Sequence, residues 1–406
     1  MMERRRWSVC VAGGRRVRAL AALAAVLALG GGGVAGAGSA AASLPAASVI
    51  RASAPKATAG SVFLIGVSAV PGTEDAIAVG YLQASGPLRP VAYRWAGSAW
   101  QAMALPRQLG AGSLLSGVWA ASSSDAWAVG SGSVGPVVLH WDGRAWSEVA
   151  VPGLSRSASL ATVSGSSPGD VWAVGATFGG GGSGATSVSP VELHYNGRSW
   201  AASQVAPAGV GLYRVSVVSP TDVWALGVSS TGRSSSLAHF DGRTWTVVGL
   251  PGASGAALGG VGASGPSVWV VGSAGTSLVS WHLAGGRWTK AAMPPPERGK
   301  MAFASGVVAL AGGTAWTAGT VAGTAFTEHL AGGRWTVVRV PPGGNGASLE
   351  SISAAGPTNV WAVGGFFVGA VCRSPSRPLA YHFVSGWKAA PFAGGGAAVA
   401  RIQPDC

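Results

Sequence analysis

From about residue 61 onward, short apolar runs follow one another, broken by Gly, Ser, Pro and Asp. Runs of roughly four to eight residues between turn signals read as strands. No stretch after the N-terminal region sustains a helical period. One run in every four is nearly invariant. It reads Asp75-Ala-Ile77-Ala-Val-Gly80, Asp125-Ala-Trp127-Ala-Val-Gly130, Asp170-Val-Trp172-Ala-Val-Gly175 and Asp222-Val-Trp224-Ala-Leu-Gly227. It continues as Ser267-Val-Trp269-Val-Val-Gly272, Thr314-Ala-Trp316-Thr-Ala-Gly319 and Asn359-Val-Trp361-Ala-Val-Gly364. Closing glycines stand 45 to 52 residues apart over seven copies. Such a period marks a repeat architecture.

The turns repeat with the strands. Ser167-Pro168-Gly-Asp170, Ser219-Pro220-Thr-Asp222 and Gly356-Pro357-Thr-Asn359 place Pro where a type I turn wants φ pre-set. Asp142-Gly143, Asn196-Gly197 and Asp241-Gly242 are two-residue hairpin signals. Ala-Gly-Gly replaces them at 284–286 and 331–333. Four antiparallel strands repeated seven times predict an all-β, seven-bladed β-propeller. Six or eight blades, or a flat β-array, are the other readings of the same pattern. The propeller is expected over 61–393, after a linker over 43–60 and before a tail over 394–406.

Thirteen of the 18 Trp fall in two series. Six sit in the repeated motif and are expected between blades. Trp100, Trp146, Trp200, Trp245, Trp288, Trp335 and Trp387 are expected to anchor the fourth strands. Trp95, Trp119, Trp141 and Trp281 fall outside both series and are the expected exposed aromatics. All six His occupy one repeat position, His140, His194, His239, His282, His329 and His382, with Arg94 in the first copy. Six His on six blades cannot meet within the roughly 2 Å that zinc ligands require, so no metal is expected. In antiparallel neighbours the start of strand two lies beside the end of strand three. Asp125 should then bond His140, Asp170 His194 and Asp222 His239, with Ser267, Thr314 and Asn359 serving the other His and Asp75 serving Arg94.

Composition adds a compartment. Arg4, Arg5, Arg6, Arg15, Arg16 and Arg18 precede the apolar run 19–29 and the small residues Ala35-Gly36-Ala37. This reads as a secretory signal peptide over 1–42. The run is short of the ~20 residues a membrane span needs, with an uncleaved anchor as the other reading. Arg15-Arg16 hints at twin-arginine export. Removal of 1–42, with six Arg and one Glu, lowers the formal charge from +13 to +8. A basic secreted chain favours anionic partners. Cys372 and Cys406 would be the mature cysteines, paired as one disulfide in an oxidising compartment and clasping the tail to the last blade.

The phrases Asp-Val-Trp-Ala-Val-Gly and His-Trp/Tyr/Phe-Asp/Asn-Gly-Arg-x-Trp resemble those of secreted bacterial kelch-like propellers of the galactose-oxidase central-domain type. The resemblance covers roughly 61–392 and implies the architecture. Most copies lack the Gly-Gly pair of kelch blades.

The connections from strand two to three and from four to one vary freely, at 81–90, 176–190, 293–301 and 365–378. Variable loops on a rigid scaffold are where binding resides. Arg156, Arg233, Arg298, Lys300 and Arg373 fall in such loops and are the candidate binding residues. The expected function is a secreted, monomeric, non-catalytic propeller binding a glycan, an anionic cell-wall polymer or a protein through this loop face. No cofactor, catalytic residue or nucleic-acid partner is expected. An extracellular polysaccharide-active enzyme is the alternative, and two acids close together at the central pocket would favour it.

Overall fold

The computed structural model describes residues 60–84, 86–180, 186–203, 210–232, 234–367 and 376–393. The expected signal segment, nearly all of the linker, the tail, Cys372 and Cys406 lie outside the described residues. Seven four-stranded sheets span 61–102, 114–148, 158–203, 210–248, 257–292, 302–338 and 345–389, here blades 1 to 7. Each is an antiparallel meander with its strands in chain order. The described helix amounts to two single 3-10 turns, Arg107–Leu109 and Ala311–Gly313. No described helix is long and apolar enough to cross a membrane.

First strands of all seven blades line a central channel. Their small-residue runs follow from this convergence. A Cβ on Gly117 would stand 2.7 Å from the Thr162 Cα of the next blade, and one on Gly260 2.7 Å from the Gly306 Cα. Larger side chains there would force the blades apart.

The Trp series fixes the seams between blades. Each motif Trp meets the fourth-strand Trp of the following blade nearly edge to face: Trp127–Trp200, Trp172–Trp245, Trp224–Trp288, Trp269–Trp335 and Trp316–Trp387, with centroids 5.1–6.0 Å apart. Such pairs add about 0.5–1.5 kcal/mol beyond the area they bury. Trp361 of blade 7 meets Trp100 of blade 1 in the same way at 5.2 Å. The ring therefore closes through the same contact that joins its other blades. Blade 1 has Ile77 in place of the motif Trp, and Ile77 shares an apolar cluster with Trp146 of blade 2.

Two further links close the ring. Ser68, Ser164 and Ser216 accept backbone N–H bonds from Ala120, Val217 and Ala263 of the next blade. Ser353 of blade 7 accepts the equivalent bond from Ala69 of blade 1 at 3.0 Å. Beyond the last blade, the Trp100 N–H donates to the Pro391 carbonyl, and the Ala393 N–H donates to the Trp100 carbonyl, both at 2.8 Å. Residues 391–393 thus lie alongside the outer strand of blade 1.

Two sequence expectations are corrected. Trp95, Trp141 and Trp281 are buried rather than exposed, and Trp119 is partly buried. Third strands place Trp95, Trp141 and Trp281 inside the seams: Trp95 packs 5.0 Å from Trp361, and the Trp281 Nε1–H donates to the Pro251 carbonyl. The Asp-Gly and Asn-Gly turns are four-residue loops, not two-residue hairpins. Asp142 Oδ1 accepts N–H bonds from Arg144 and Ala145 at 2.8 Å, and only Gly143 takes positive φ (89°). Those bonds hold the Asp142 carboxyl below its ordinary pKa. The Ala-Gly-Gly copies are the two-residue turns, with Gly285 and Gly286 at φ 57° and 75°.

Candidate functional site

The site begins with the glycine that closes the motif. A Cβ on Gly80, Gly130, Gly175, Gly319 or Gly364 would fall 1.9–2.0 Å from a first-strand carbonyl oxygen. Opposite each motif glycine the first strand carries one extra residue, a β-bulge. The bulged residues are Ile65, Ser116, Ala161, Tyr213, Gly259, Ser305 and Glu350. Residues that follow them are Gly66, Gly117, Thr162, Arg214, Gly260, Gly306 and Ser351. The motif that repeats thereby sets out a ring of positions that do not.

Four of these positions break the small-residue pattern: Ile65, Tyr213, Arg214 and Glu350. Tyr213 turns into the seam, where its hydroxyl donates to the Leu258 carbonyl at 2.8 Å and burial pushes its pKa up to about 12. Arg214 reaches across the channel. Its Nε and Nη2 donate to the Ser305 carbonyl of blade 6 at 3.3 and 2.8 Å. Nη2 also reaches the Glu350 carbonyl of blade 7 at 3.4 Å, and Nη1 donates to the Tyr213 carbonyl at 3.1 Å. Four of the five guanidinium N–H donors are thus held by backbone oxygens. Burial draws the Arg214 pKa below the ordinary guanidinium value. Glu350 stands across the channel, and its Oε1 accepts a 2.6 Å bond from the Ser348 hydroxyl.

Above Arg214 the channel opens into a cavity of about 200 Å³. Its walls come from the starts of first strands and the ends of second strands in blades 1 and 4 to 7, including Phe63, Phe303, Ser305, Ser348, Glu350 and Phe366. These strand ends belong to the face of the variable connections, so the mouth opens on the loop face. Phe63 stacks on Tyr81 at 5.3 Å. The Tyr81 pKa is raised by burial and, secondarily, by the Glu350 charge.

The candidate cations are distributed around this mouth rather than in it. Arg298 and Lys300 are exposed in one turn between blades 5 and 6, four and two residues before the start of the strand that carries Phe303. Arg156 is exposed on the far side, with its Cα 3.6 Å from where a Cβ on Gly135 would stand. Arg233 and Arg373 lie outside the described residues. Arg214, Glu350, Phe63, Phe303 and Phe366 were not singled out from sequence. For Arg214 the available signal was a charged residue at a repeat position that Gly, Ser or Thr otherwise fills.

The Asp and His residues lie on the opposite, short-turn side. Asp125 Oδ1 is 2.9 Å from His140 Nε2, Asp170 Oδ1 2.8 Å from His194 Nε2, and Asp222 Oδ1 2.9 Å from His239 Nε2. Ser267 and Asn359 bond His282 and His382 likewise. No such bond joins Thr314 to His329 or Asp75 to Arg94. Each His also lies against its blade's motif Trp, stacked in five blades (3.8 Å at His282) and tilted by 37° at His140 (4.4 Å). Burial lowers the pKa of His282, His329 and His382. No group of three or more His, Cys, Asp or Glu among the described residues could hold a metal ion.

No known protein family matches the chain, and no curated protein matches it in sequence. Solved structures match the fold. U3-55K superposes with a TM-score of 0.52 at 10% identity, over 76% of this chain and 92% of that one. A puromycin-hydrolysing peptidase of Mycobacterium tuberculosis superposes with a TM-score of 0.51 at 13% identity, over 85% of this chain. The match spans 54% of the peptidase, about half its length. YCF48 from Cyanidioschyzon merolae gives a TM-score of 0.48 at 17% identity, over 72% and 89% of the two chains. At these identities the likeness is one of fold.

Proposed function

We propose that this chain is a secreted, non-catalytic binding propeller whose loop face holds an anionic polymer of the cell exterior. One observation carries the choice of binding over catalysis: Glu350 is the single carboxylate among the described residues lining the mouth. Glycoside hydrolysis ordinarily needs two, roughly 5–9.5 Å apart. Arg156, Arg298 and Lys300 support the choice of partner, since they are exposed on the connections of the same face. A formal charge of +8 after removal of 1–42 acts in the same direction.

The test is retention of the mature protein on isolated cell walls and on an immobilised polyanion, at low and high salt. The Arg298→Ala/Lys300→Ala double variant should elute at clearly lower salt. Equal retention of the double variant, or retention indifferent to salt, overturns the reading. Capture only on protein-coated resin moves the partner to the protein class. Release of reducing sugar from the walls favours the enzyme.

A further inference from the structure

We propose that the loop-face mouth of the channel binds one neutral, hydroxyl-rich ring, the end unit of a saccharide. The inference rests on the reading of the chain as a binding propeller and gives that face a second, uncharged specificity.

Charge narrows the ligand first. The mouth holds one cation, Arg214, and one anion, Glu350, among its described lining residues. Their formal charges cancel. An anionic ligand would meet the Glu350 carboxylate while Arg214 has four of its five donors committed to the carbonyls of Ser305, Glu350 and Tyr213. A cationic ligand would meet the guanidinium itself. A neutral ligand avoids both penalties.

Hydrogen-bonding capacity narrows it further. With Arg214 occupied, the charged group available in the wall is an acceptor, the half-buried Glu350 carboxylate. Its Oε1 already takes the Ser348 hydroxyl, which orients the group. An acceptor of this kind calls for O–H donors. Bonds to a charged acceptor are among the stronger ones, at about 1.5–3 kcal/mol.

The walls supply the remaining feature. Phe63, Phe303 and Phe366 are half-buried and leave ring surface open to the mouth. Two of the rings are seated by glycines. A Cβ on Gly344 would lie 2.6 Å from Phe366 Cδ2, and one on Gly365 3.2 Å from Phe63 Cδ1. Tyr81 backs Phe63 from behind. Aromatic surface beside a carboxylate suits a ring with an apolar C–H face and hydroxyl edges. The cavity, at about 200 Å³, is smaller than the ~300–1,000 Å³ of drug-sized pockets. One ring fills it, and further units of a chain would lie out over the loop face.

Calorimetric titration of the full mature chain tests this, with methyl glycosides of neutral hexoses and N-acetylhexosamines as probes. Glucuronate and lysine serve as the charged comparisons. At least one neutral glycoside should bind saturably, with glucuronate and lysine at least about tenfold weaker. Glu350→Gln and Phe366→Ala should each weaken that binding by about tenfold or more. Phe366→Leu keeps an apolar side chain of similar size and removes the aromatic face, and its binding is compared with that of the parent once the two melting curves are shown to match. No saturable binding by any neutral glycoside overturns the proposal, as does tighter binding of glucuronate or lysine. Binding indifferent to both mouth substitutions overturns it too. Salt-sensitive retention on polyanion without glycoside binding sinks the mouth proposal and leaves the loop-face reading standing; the converse result does the opposite.

Discussion

The guanidinium of Arg214 and the carbonyl of Ser305 are 2.8 Å apart, although the residues belong to blades 4 and 6. The bond crosses the channel instead of following the ring. Every other position in that ring of seven holds Gly, Ser or Thr. Replacing Arg214 with Met should therefore leave three backbone carbonyls short of a donor. Charged hydrogen bonds contribute about 1.5–3 kcal/mol each way, and water entering the opened channel offsets part of that. We expect a loss of about 1–3 kcal/mol in denaturant unfolding. A stability unchanged from the parent would show that the tie is ornamental.

The three Asp–His pairs differ in burial, and their deletion should differ accordingly. Asp170 is 3% exposed and accepts bonds from Ser166, Trp172 Nε1 and His194. Asp125 is partly exposed, and His140 can find water in its place. Asp170→Ala should cost about 2–4 kcal/mol and Asp125→Ala about 1 kcal/mol or less. Chemical denaturation of both variants checks the order, and equal losses would refute the account.

Motif glycines should fail in a graded way. At Gly319 an added Cβ would sit 1.9 Å from the Phe303 carbonyl oxygen, which is backbone and cannot swing aside. At Gly227 the nearest atom is Val210 Cγ1 at 2.3 Å, the tip of a side chain. Gly319→Ala should therefore destabilise by more than about 3 kcal/mol or prevent folding. Gly227→Ala should cost about 1–3 kcal/mol, typical of local overpacking. Soluble yield and melting temperature report the difference.

Glu328 makes stability depend on pH. It is fully buried on the third strand of blade 6, and neither carboxylate oxygen has a hydrogen-bond partner. Burial pushes its pKa up to about 8. A carboxyl whose folded pKa lies above its unfolded value contributes fully to stability below the unfolded value, near 4.3. That contribution is lost as pH rises through the folded value. Its share of the decline between about pH 4.3 and pH 8 is on the order of 3–5 kcal/mol. Glu328→Gln should flatten the pH dependence and raise the melting temperature at pH 8. A variant that melts in parallel with the parent from pH 5 to pH 8 would count against it.

Much of the fold was legible because its physics is local and repeated. Trp172 and Gly175 recur at a fixed spacing, since six of the seven blades put a motif Trp in the seam and all seven need a bare Cα under the bulge. His194 recurs because it both stacks on that Trp and bonds Asp170. The exposed-aromatic reading of Trp95 and Trp281 failed for a tertiary reason. Their partners, Trp361 and the Pro251 carbonyl, come from a neighbouring blade and from the connection between blades 4 and 5. The turn at Asp142-Gly143 was misjudged because a side-chain oxygen, not a second positive φ, completes it.

By itself the sequence determined the blade, its number and its seam, all set by contacts whose periodicity is written along the chain. The loop connections and their cations were also visible there. Only the tertiary structure decided which residues share the mouth. Arg214, Glu350, Phe63 and Phe366 come from blades 4, 7, 1 and 7, separated by up to 303 positions in the chain. Closure of the ring is what brings them together, through Trp361 on Trp100 and Ser353 on Ala69. The residues of these contacts recur along the chain like those of the other seams, but that the last blade meets the first is decided only by closure of the ring.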